Sequence, residues 1–385
     1  MGTQQRPQQT PYRTPAPGPQ RASGMRPANG YPQEPDHGAR YGKAFLIILI
    51  VTAILLVVGL VTLCIVLLSN NDKDKDLSND GDQAYEQNDA DNGDNDNTPA
   101  KIDGVATNPS RTSYNIGNSV SYAGISGINS DYAVLVDLDN FQAIAGINPD
   151  TRICPASMTK VMTVLIACEN LKSLNDKLTV SQEAVKYQSD HGASGYNLEA
   201  GDTLTVKDML YLIHYRSDTV ACLEISKYIA GSEAAFVQKM NDKAKAMGLS
   251  NTRFSNSTGL YFEGEEYYTT CREMAAIMAY ALENPLAREI LTSSGKYYIS
   301  SGAYKGAVIA PGWLVDRLGS NPRLETVTVK GGKTGYEDVC GACLVTYSVG
   351  NSGKQYVQVI VGGGKDVDVK QCTEDVNAIY DKYAK

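Results

Sequence analysis

The chain has 385 residues, with 35 Lys and Arg against 43 Asp and Glu, and a formal net charge of −8. That length leaves room for one large domain or two ordinary ones with tails. The acidic balance, with no basic stripe interleaved with aromatic residues, argues against a nucleic-acid partner. With only 3 histidines (His37, His191 and His214) and no metal-ligand spacing, neither a metal nor any other cofactor is expected.

Residues 1–43 are crowded with Pro, Gln and Gly and carry Arg6, Arg13, Arg21, Arg26, Arg40 and Lys43 against Glu34 and Asp36, which predicts a disordered, mildly basic tail. From Ala44 to Leu68 no side chain is charged, a run long enough to cross the roughly 30 Å hydrocarbon core as one transmembrane helix. A cleaved signal peptide would have a shorter apolar core of about 7–15 residues and a small-residue cleavage site, and this segment fits neither. Basic residues precede the span, and Asp- and Asn-rich sequence from Asp72 to Asp96 follows it. The positive-inside rule then puts the N-terminus in the cytoplasm and everything after Leu68 outside the cell. Residues 69–112 read as an acidic flexible linker that holds one folded domain, residues 113–385, off the membrane.

Within that domain, Tyr132 to Leu138 and Phe141 to Gly146 are two short aliphatic runs separated by Asp139-Asn140, a two-residue hairpin signal. A helix starting near Ser157 follows. Helical periodicity then covers Val206–Tyr215, Val220–Ile229, Glu233–Met247 and Thr270–Glu283. Strand composition returns at Thr326–Lys330, Ala342–Val349 and Tyr356–Val361, the last two joined by Gly350-Asn351-Ser352-Gly353, and an amphipathic helix is expected over Val369–Tyr383. Strands at both ends with helices between them predict an α+β domain whose antiparallel sheet is assembled from N- and C-terminal pieces.

Cys64 lies in the apolar span, and the exterior holds an odd set: Cys154, Cys168, Cys222, Cys271, Cys340, Cys343 and Cys372. Most sit in apolar or strand-like contexts and read as small buried thiols rather than a disulfide framework. Cys340-Gly341-Ala342-Cys343 has redox-motif spacing but falls in a strand-like run, not at the start of a helix, and reads as core.

The chemistry concentrates in Ser157-Met158-Thr159-Lys160, behind Pro155-Ala156 and ahead of the apolar run Val161 to Cys168. A serine hydroxyl is a weak nucleophile near neutral pH and needs a proton acceptor beside it. Residues three apart on a helix share a face, so Lys160 can reach Ser157, and burial lowers a lysine's pKa toward the range where it accepts a proton. The tetrad recurs as Ser293-Ser294-Gly295-Lys296, but Gly295 breaks its helix potential and no apolar period follows. Two further motifs come in order, Ser217-Asp218-Thr219 at a helix junction and Lys333-Thr334-Gly335 at a strand end. Alone, the first is a helix cap and the second a surface turn. Gly332-Lys333-Thr334 also mimics the end of a phosphate loop, but Val327 stands where that loop needs its first glycine.

Taken together and in this order, the three motifs resemble the serine-type D-alanyl-D-alanine carboxypeptidases, the low-molecular-weight penicillin-binding proteins. The likeness extends to the Tyr132–Asp137 strand, to Gly201-Asp202-Thr203-Leu204-Thr205 and to Asn256-Ser257-Thr258-Gly259-Leu260. It implies a β-lactamase/transpeptidase-like fold, with a five-stranded antiparallel sheet flanked by helices and the site between sheet and helical block. Members of that family often carry a C-terminal amphipathic anchor, whereas the tether expected here is N-terminal.

By the same resemblance, Ser157 would attack the carbonyl between the last two D-alanines of a peptidoglycan stem peptide, with Lys160 as base and Ser217 relaying a proton to the leaving amine. Lys333 and Thr334 would hold the substrate carboxylate, and the amides of Ser157 and Tyr336 would hold the oxyanion. Gly335 would keep the strand edge open to substrate. β-Lactam antibiotics would act as acylating inhibitors. The departure is Thr219, where the family usually has asparagine, whose amide both donates and accepts. Threonine offers only a hydroxyl on a shorter arm. This predicts reduced activity or altered preference, and leaves open a catalytically silent wall-binding protein of the same fold. A β-lactamase would need a further general base, and no Glu-x-x-x-Asn segment lies between Ser217 and Lys333.

Overall fold

The computed structural model describes residues 105–310, 324–364 and 369–384. The expected cytoplasmic tail and transmembrane helix, and the linker up to residue 104, lie outside the described residues. Among the described residues no helix is long and apolar enough to cross a membrane.

Strands β1 (Gly117–Gly124), β2 (Tyr132–Asp137) and β3 (Gln142–Ile147) are followed by a 3₁₀ turn (Ala156–Thr159) that runs directly into helix α1 (Lys160–Asn170). Strand β4 (Lys177–Thr179), helix α2 (Gln182–Asp190) and strand β5 (Thr203–Thr205) lead to α3 (Val206–Arg216), α4 (Thr219–Ala230), α5 (Glu233–Ala246), α6 (Cys271–Ala281) and α7 (Pro285–Leu291). A short pair, β6 (Tyr297–Tyr298) and β7 (Val308–Ile309), precedes β8 (Val327–Glu337), β9 (Gly341–Gly350), β10 (Gln355–Val361) and helix α8 (Val369–Tyr383).

The main sheet has the order β1-β3-β2-β10-β9-β8, so the N- and C-terminal pieces meet where β2 pairs with β10. The expected five antiparallel strands are there, but the sheet has six: β1 adds to β3 in parallel. Its sequence, GNSVSYAG, gives no apolar alternation, its one large aliphatic residue, Val120, is fully exposed, and its pairing is interrupted between Asn118 and Ala123. The β2–β3 turn is also longer than the two residues expected. The Asp137 carboxylate accepts from the amides of Asp139 (2.9 Å) and Asn140 (3.2 Å), and Phe141 at φ 53° completes the reversal.

Both faces of the sheet are covered. Val134, Val136, Val345, Val357 and Val359 pack toward the helical block, while Ala133, Leu135, Leu344 and Ile360 pack against Val376, Ile379 and Tyr380 of α8. This explains why β2 reads as a continuous apolar run and does not alternate. Helix α1 is buried from Lys160 through Cys168, as befits a helix apolar on every side. The surrounding helices begin at side-chain caps, Thr205, Asp218, Ser232, Thr270 and Asn284, each of which accepts a hydrogen bond from an amide of the first turn.

Asp375 anchors α8 to the segment entering β2. Its buried carboxylate accepts from the backbone amides of Asn129 (3.0 Å) and Ser130 (2.8 Å) and from the Ser130 hydroxyl (2.7 Å). Asp375→Ala is expected to lower unfolding stability by about 2–4 kcal/mol, measured by urea denaturation, because several charge-assisted bonds are lost and their donors are left buried. A loss under about 0.5 kcal/mol, the range of an ordinary surface substitution, would show that the helix is held by its apolar face alone.

Candidate active site

The turn that carries Ser157 is held in an unusual conformation. Ala156 has φ 45°, in the left-handed region that costs a non-glycine residue about 1–2 kcal/mol. Buried Tyr267 stabilises it: its hydroxyl donates to the Ala156 carbonyl at 2.9 Å and meets Thr159 Oγ1 at 2.6 Å. Residues three apart nearly eclipse in a 3₁₀ turn, and Lys160 Nζ accordingly donates to Ser157 Oγ at 3.0 Å. The same nitrogen donates to the carbonyl of Thr258.

That carbonyl belongs to the Asn256–Leu260 turn. Asn256 Oδ1 accepts from the amides of Thr258 (3.1 Å) and Gly259 (2.7 Å), and Glu233 at the start of α5 accepts from the Ser257 amide (3.0 Å) and hydroxyl (2.8 Å). Gly259 has φ 85°, and a Cβ there would stand 2.3 Å from the Ala156 carbonyl oxygen. Only glycine lets this turn sit against the nucleophile's backbone.

The second motif occupies the α3–α4 junction. Ser217, at φ 53°, ends α3, and Asp218 caps α4 with a buried carboxylate that accepts from the amides of Ala221 (2.8 Å) and Tyr196 (2.6 Å). The cap turns Ser217 toward the sheet, so capping and site formation are one structural event. Thr219 is buried, and its amide donates to the Ser194 carbonyl at 3.0 Å.

The third motif lies on β8, the end strand of the sheet. Lys333 Nζ donates to Ser217 Oγ at 3.1 Å and to the Thr334 carbonyl at 2.9 Å. Gly335 sets how closely β8 approaches the Ser157 turn. A Cβ there would lie 2.8 Å from the Ser157 backbone nitrogen and 2.8 Å from the Cys343 sulfur. Its absence lets the strand press against the Ser157 turn, bringing the Gly335-Tyr336 peptide alongside the Ser157 amide. Tyr336 stands half exposed at the rim, its hydroxyl donating to Asp338 at 3.1 Å.

Burial governs the electrostatics. Desolvation holds Lys160 below the usual lysine range, against the pull of Cys222, Asp218 and Glu337. Lys333 is pushed down to about 7, first by desolvation and then by the nearby charge of Lys160. The two lysines therefore share one environment, and the pairs Ser157–Lys160 and Ser217–Lys333 form a single constellation. Buried His214 is pushed down to about 3 by desolvation and by Lys333, so beside Lys333 it is a neutral wall and not a second cation. Among the described residues no cluster of three or more His, Cys, Asp or Glu side chains could hold a metal.

A family model described as D-alanyl-D-alanine carboxypeptidase, peptidase S11, matches residues 118–364 and so takes in all three motifs. The chain belongs to this family. Among curated relatives, the D-alanyl-D-alanine carboxypeptidase DacF of Bacillus subtilis (strain 168) is 35% identical over 231 residues, 60% of this chain and 56% of DacF. DacC of Escherichia coli (strain K12), also a D-alanyl-D-alanine carboxypeptidase, is 33% identical over 150 residues, 37% of each chain. The chain thus matches about half or less of the length of these two relatives. A solved mutant of the Streptomyces K15 DD-transpeptidase superposes with a TM-score of 0.58 at 23% identity, over 67% of this chain and 98% of that one, and shares the transpeptidase/β-lactamase-like fold.

Within this S11 domain the structure brings Ser157, Lys160, Ser217, Lys333 and Gly335 together, with Thr334 beside them and Thr219 buried one position past the Asp218 cap. The decoy Ser293-Ser294-Gly295-Lys296 instead begins at the C-terminal end of α7 and leads into β6, and its Gly295 carbonyl accepts from Tyr215 at 2.7 Å. Motif reading missed Tyr267 and Glu233, which act on the site through backbone carbonyls and amides and leave no local pattern. Tyr267→Phe, which keeps the ring and removes the clamp on Ala156, is expected to slow labelling of Ser157 by a fluorescent penicillin about tenfold, the effect of one hydrogen bond worth about 1.4 kcal/mol. Gly335→Ala is expected to slow it by about 100-fold or more, as for loss of one oxyanion donor. Wild-type labelling rates in both variants would sever these contacts from the chemistry.

Proposed function

We propose that the chain is a membrane-anchored D-alanyl-D-alanine carboxypeptidase that removes the terminal D-alanine of peptidoglycan stem peptides through an acyl-enzyme on Ser157. The observation that carries this reading is the pair of contacts Lys160 Nζ–Ser157 Oγ at 3.0 Å and Lys333 Nζ–Ser217 Oγ at 3.1 Å in one buried site. Family membership supports it. Residues 44–68 serve as the anchor, with the catalytic domain outside the cell.

Neutral Lys160 takes the Ser157 proton as Oγ bonds to the carbonyl carbon between the two D-alanines. The resulting oxyanion rests on the amides of Ser157 and Tyr336. As the C–N bond breaks, the leaving D-alanine amine receives a proton relayed through Ser217. Water then adds to the ester, releasing the shortened peptide and restoring Ser157. Lys333 and Thr334 bind the terminal carboxylate, and this makes the enzyme an exopeptidase. β-Lactams enter the same path and stall at the acyl-enzyme.

The test is conversion of a pentapeptide to a tetrapeptide plus free D-alanine, together with penicillin labelling that Ser157→Ala abolishes. Labelling without D-alanine release would favour the silent wall-binding alternative raised by Thr219. Thr219→Asn, which restores an amide that both donates and accepts, is expected to raise turnover about tenfold, equivalent to one recovered hydrogen bond. No gain would remove Thr219 as the explanation of a slow enzyme.

The pH dependence follows from Lys333. Its pKa in the free enzyme is depressed to about 7, so the ammonium that binds a carboxylate is present below that pH and is lost as pH rises through it. The kcat/KM for a carboxylate-ended substrate should therefore fall above about pH 7. kcat should fall less, because the bound carboxylate holds the proton on Lys333. Lys333→Arg, which stays charged, should remove this limb. A limb unchanged by that substitution would assign the titration elsewhere.

A further inference from the structure

The Asn256–Leu260 turn brings one atom to the base, the Thr258 carbonyl oxygen that accepts from Lys160 Nζ. Its position is set one residue earlier. Ser257 is fully buried and held at three points: its amide (3.0 Å) and hydroxyl (2.8 Å) donate to Glu233 Oε1, and its carbonyl accepts from Thr163 Oγ1 at 2.7 Å. Thr163 lies three residues beyond Lys160, so the helix that carries the base also grips the turn beside it. Glu233 is the first residue of α5, where a carboxylate favours the helix dipole whatever else it touches. That helix is capped by Ser232, whose hydroxyl accepts from the Ala235 amide at 3.2 Å. The Glu233 carboxylate instead reaches out of the helix to a residue 24 positions on.

We propose that Glu233 is a positioning residue for acylation of Ser157: by fixing Ser257 it holds the Thr258 carbonyl where that carbonyl orients Lys160. The role rests on Lys160 acting as base, as proposed above. In the structure Lys160 Nζ donates to Ser157 Oγ at 3.0 Å. Proton transfer needs the reverse direction. As the Ser157 O–H bond breaks, its electron pair goes into the new C–O bond and the proton goes to a lone pair on Nζ.

A neutral amine has two N–H bonds and one lone pair. With one N–H tied to Thr258, rotation about Cε–Nζ is restricted and the lone pair stays available to Ser157. A carbonyl free to drift would let the amine turn, and the reactive geometry would be visited less often. The carbonyl acts on charge as well, because an acceptor stabilises the ammonium more than the amine. Burial holds Lys160 below the usual lysine range, and the Thr258 carbonyl opposes that fall. The other titratable groups that act with Lys160 are Lys333 and Glu337 on β8, and Asp218 and Cys222 at the start of α4. A substitution at Glu233 leaves all four in place.

The full-length chain in detergent, isotope-labelled at lysine Cε, reports the Lys160 titration by NMR, with the signal assigned through Lys160→Arg. Glu233→Ala should lower the midpoint by about one pH unit, the worth of one hydrogen bond, and slow penicillin labelling of Ser157 about tenfold. Glu233→Gln, which loses the charge but keeps an oxygen to accept from Ser257, should recover most of both. Thr163→Val releases the Ser257 carbonyl from the other side and should move both readouts in the same direction as Glu233→Ala; it carries the test if that variant does not fold. A midpoint that stays put or rises in Glu233→Ala, as it would if the side chain only kept water from Lys160, would overturn the proposal. So would a Glu233→Gln variant as damaged as Glu233→Ala, which would assign the effect to charge alone. The titration does not depend on turnover. A chain that shows these shifts but releases no D-alanine would count against the carboxypeptidase reading and leave this positioning role intact.

Discussion

Two lysines buried in one site set the terms for everything around them. An ammonium removed from water is costly, and a second one nearby raises that cost, so Lys160 and Lys333 cannot be charged independently. A carboxylate arriving at Lys333 favours its ammonium form, and a charged Lys333 in turn presses Lys160 toward the neutral amine. In the proposed reaction, a peptide carboxylate bound at Lys333 would thereby help to ready Lys160 to activate Ser157. Asp218 and Glu337 sit close enough to Lys160 to oppose this, but Asp218 is committed to two backbone amides, and burial raises both carboxyls, which weakens them as counter-ions.

Such an arrangement works only on a rigid frame, and the frame consists of backbone approaching backbone. Gly335 admits β8 to the Ser157 turn, Gly259 admits the Asn256–Leu260 turn to the Ala156 carbonyl, and Tyr267 closes the third side. The left-handed Ala156 is thus held by contacts on several sides, as strain at a functional site has to be. Helix α1 supplies the floor. Because it is apolar all round and buried through Cys168, it cannot rotate to take Lys160 away from the serine without exposing aliphatic surface.

Whatever depended on periodicity or on motif chemistry was legible in the sequence. Helices α3 to α6, strands β8 to β10 and the order of the three motifs could all be read, because an amphipathic face or a functional side chain leaves its mark at fixed spacing. Segments without such a face were missed. Helix α2 buries only Ala184, α7 is a single short stretch from Pro285 to Leu291, and β1 meets its neighbour only through Gly117, Asn118, Ala123 and Gly124. The site was legible in its side chains and not in its backbone. Ser157, Lys160, Ser217 and Lys333 announce themselves, whereas the carbonyl of Thr258 and the clamp at Tyr267 come from irregular segments whose placement is decided by long-range packing.

Thr219 is where local rule and family pattern part, and the surrounding structure suggests why the exchange is tolerated. The position is the first residue of a buried helix, already satisfied through its amide by Ser194, and the preceding Asp218 does the capping, so helix stability makes no demand on the side chain. Lys160 has an acceptor in the Thr258 carbonyl, so its N–H is not left unpaired when an asparagine oxygen is absent. What threonine cannot reproduce is a donor and an acceptor together at the length of an amide. The loss therefore falls on the contact with a bound peptide group, not on the resting geometry of the site. In the proposed reaction, such a substitution can leave the Ser157–Lys160 and Ser217–Lys333 contacts intact and still change which acyl donors are preferred.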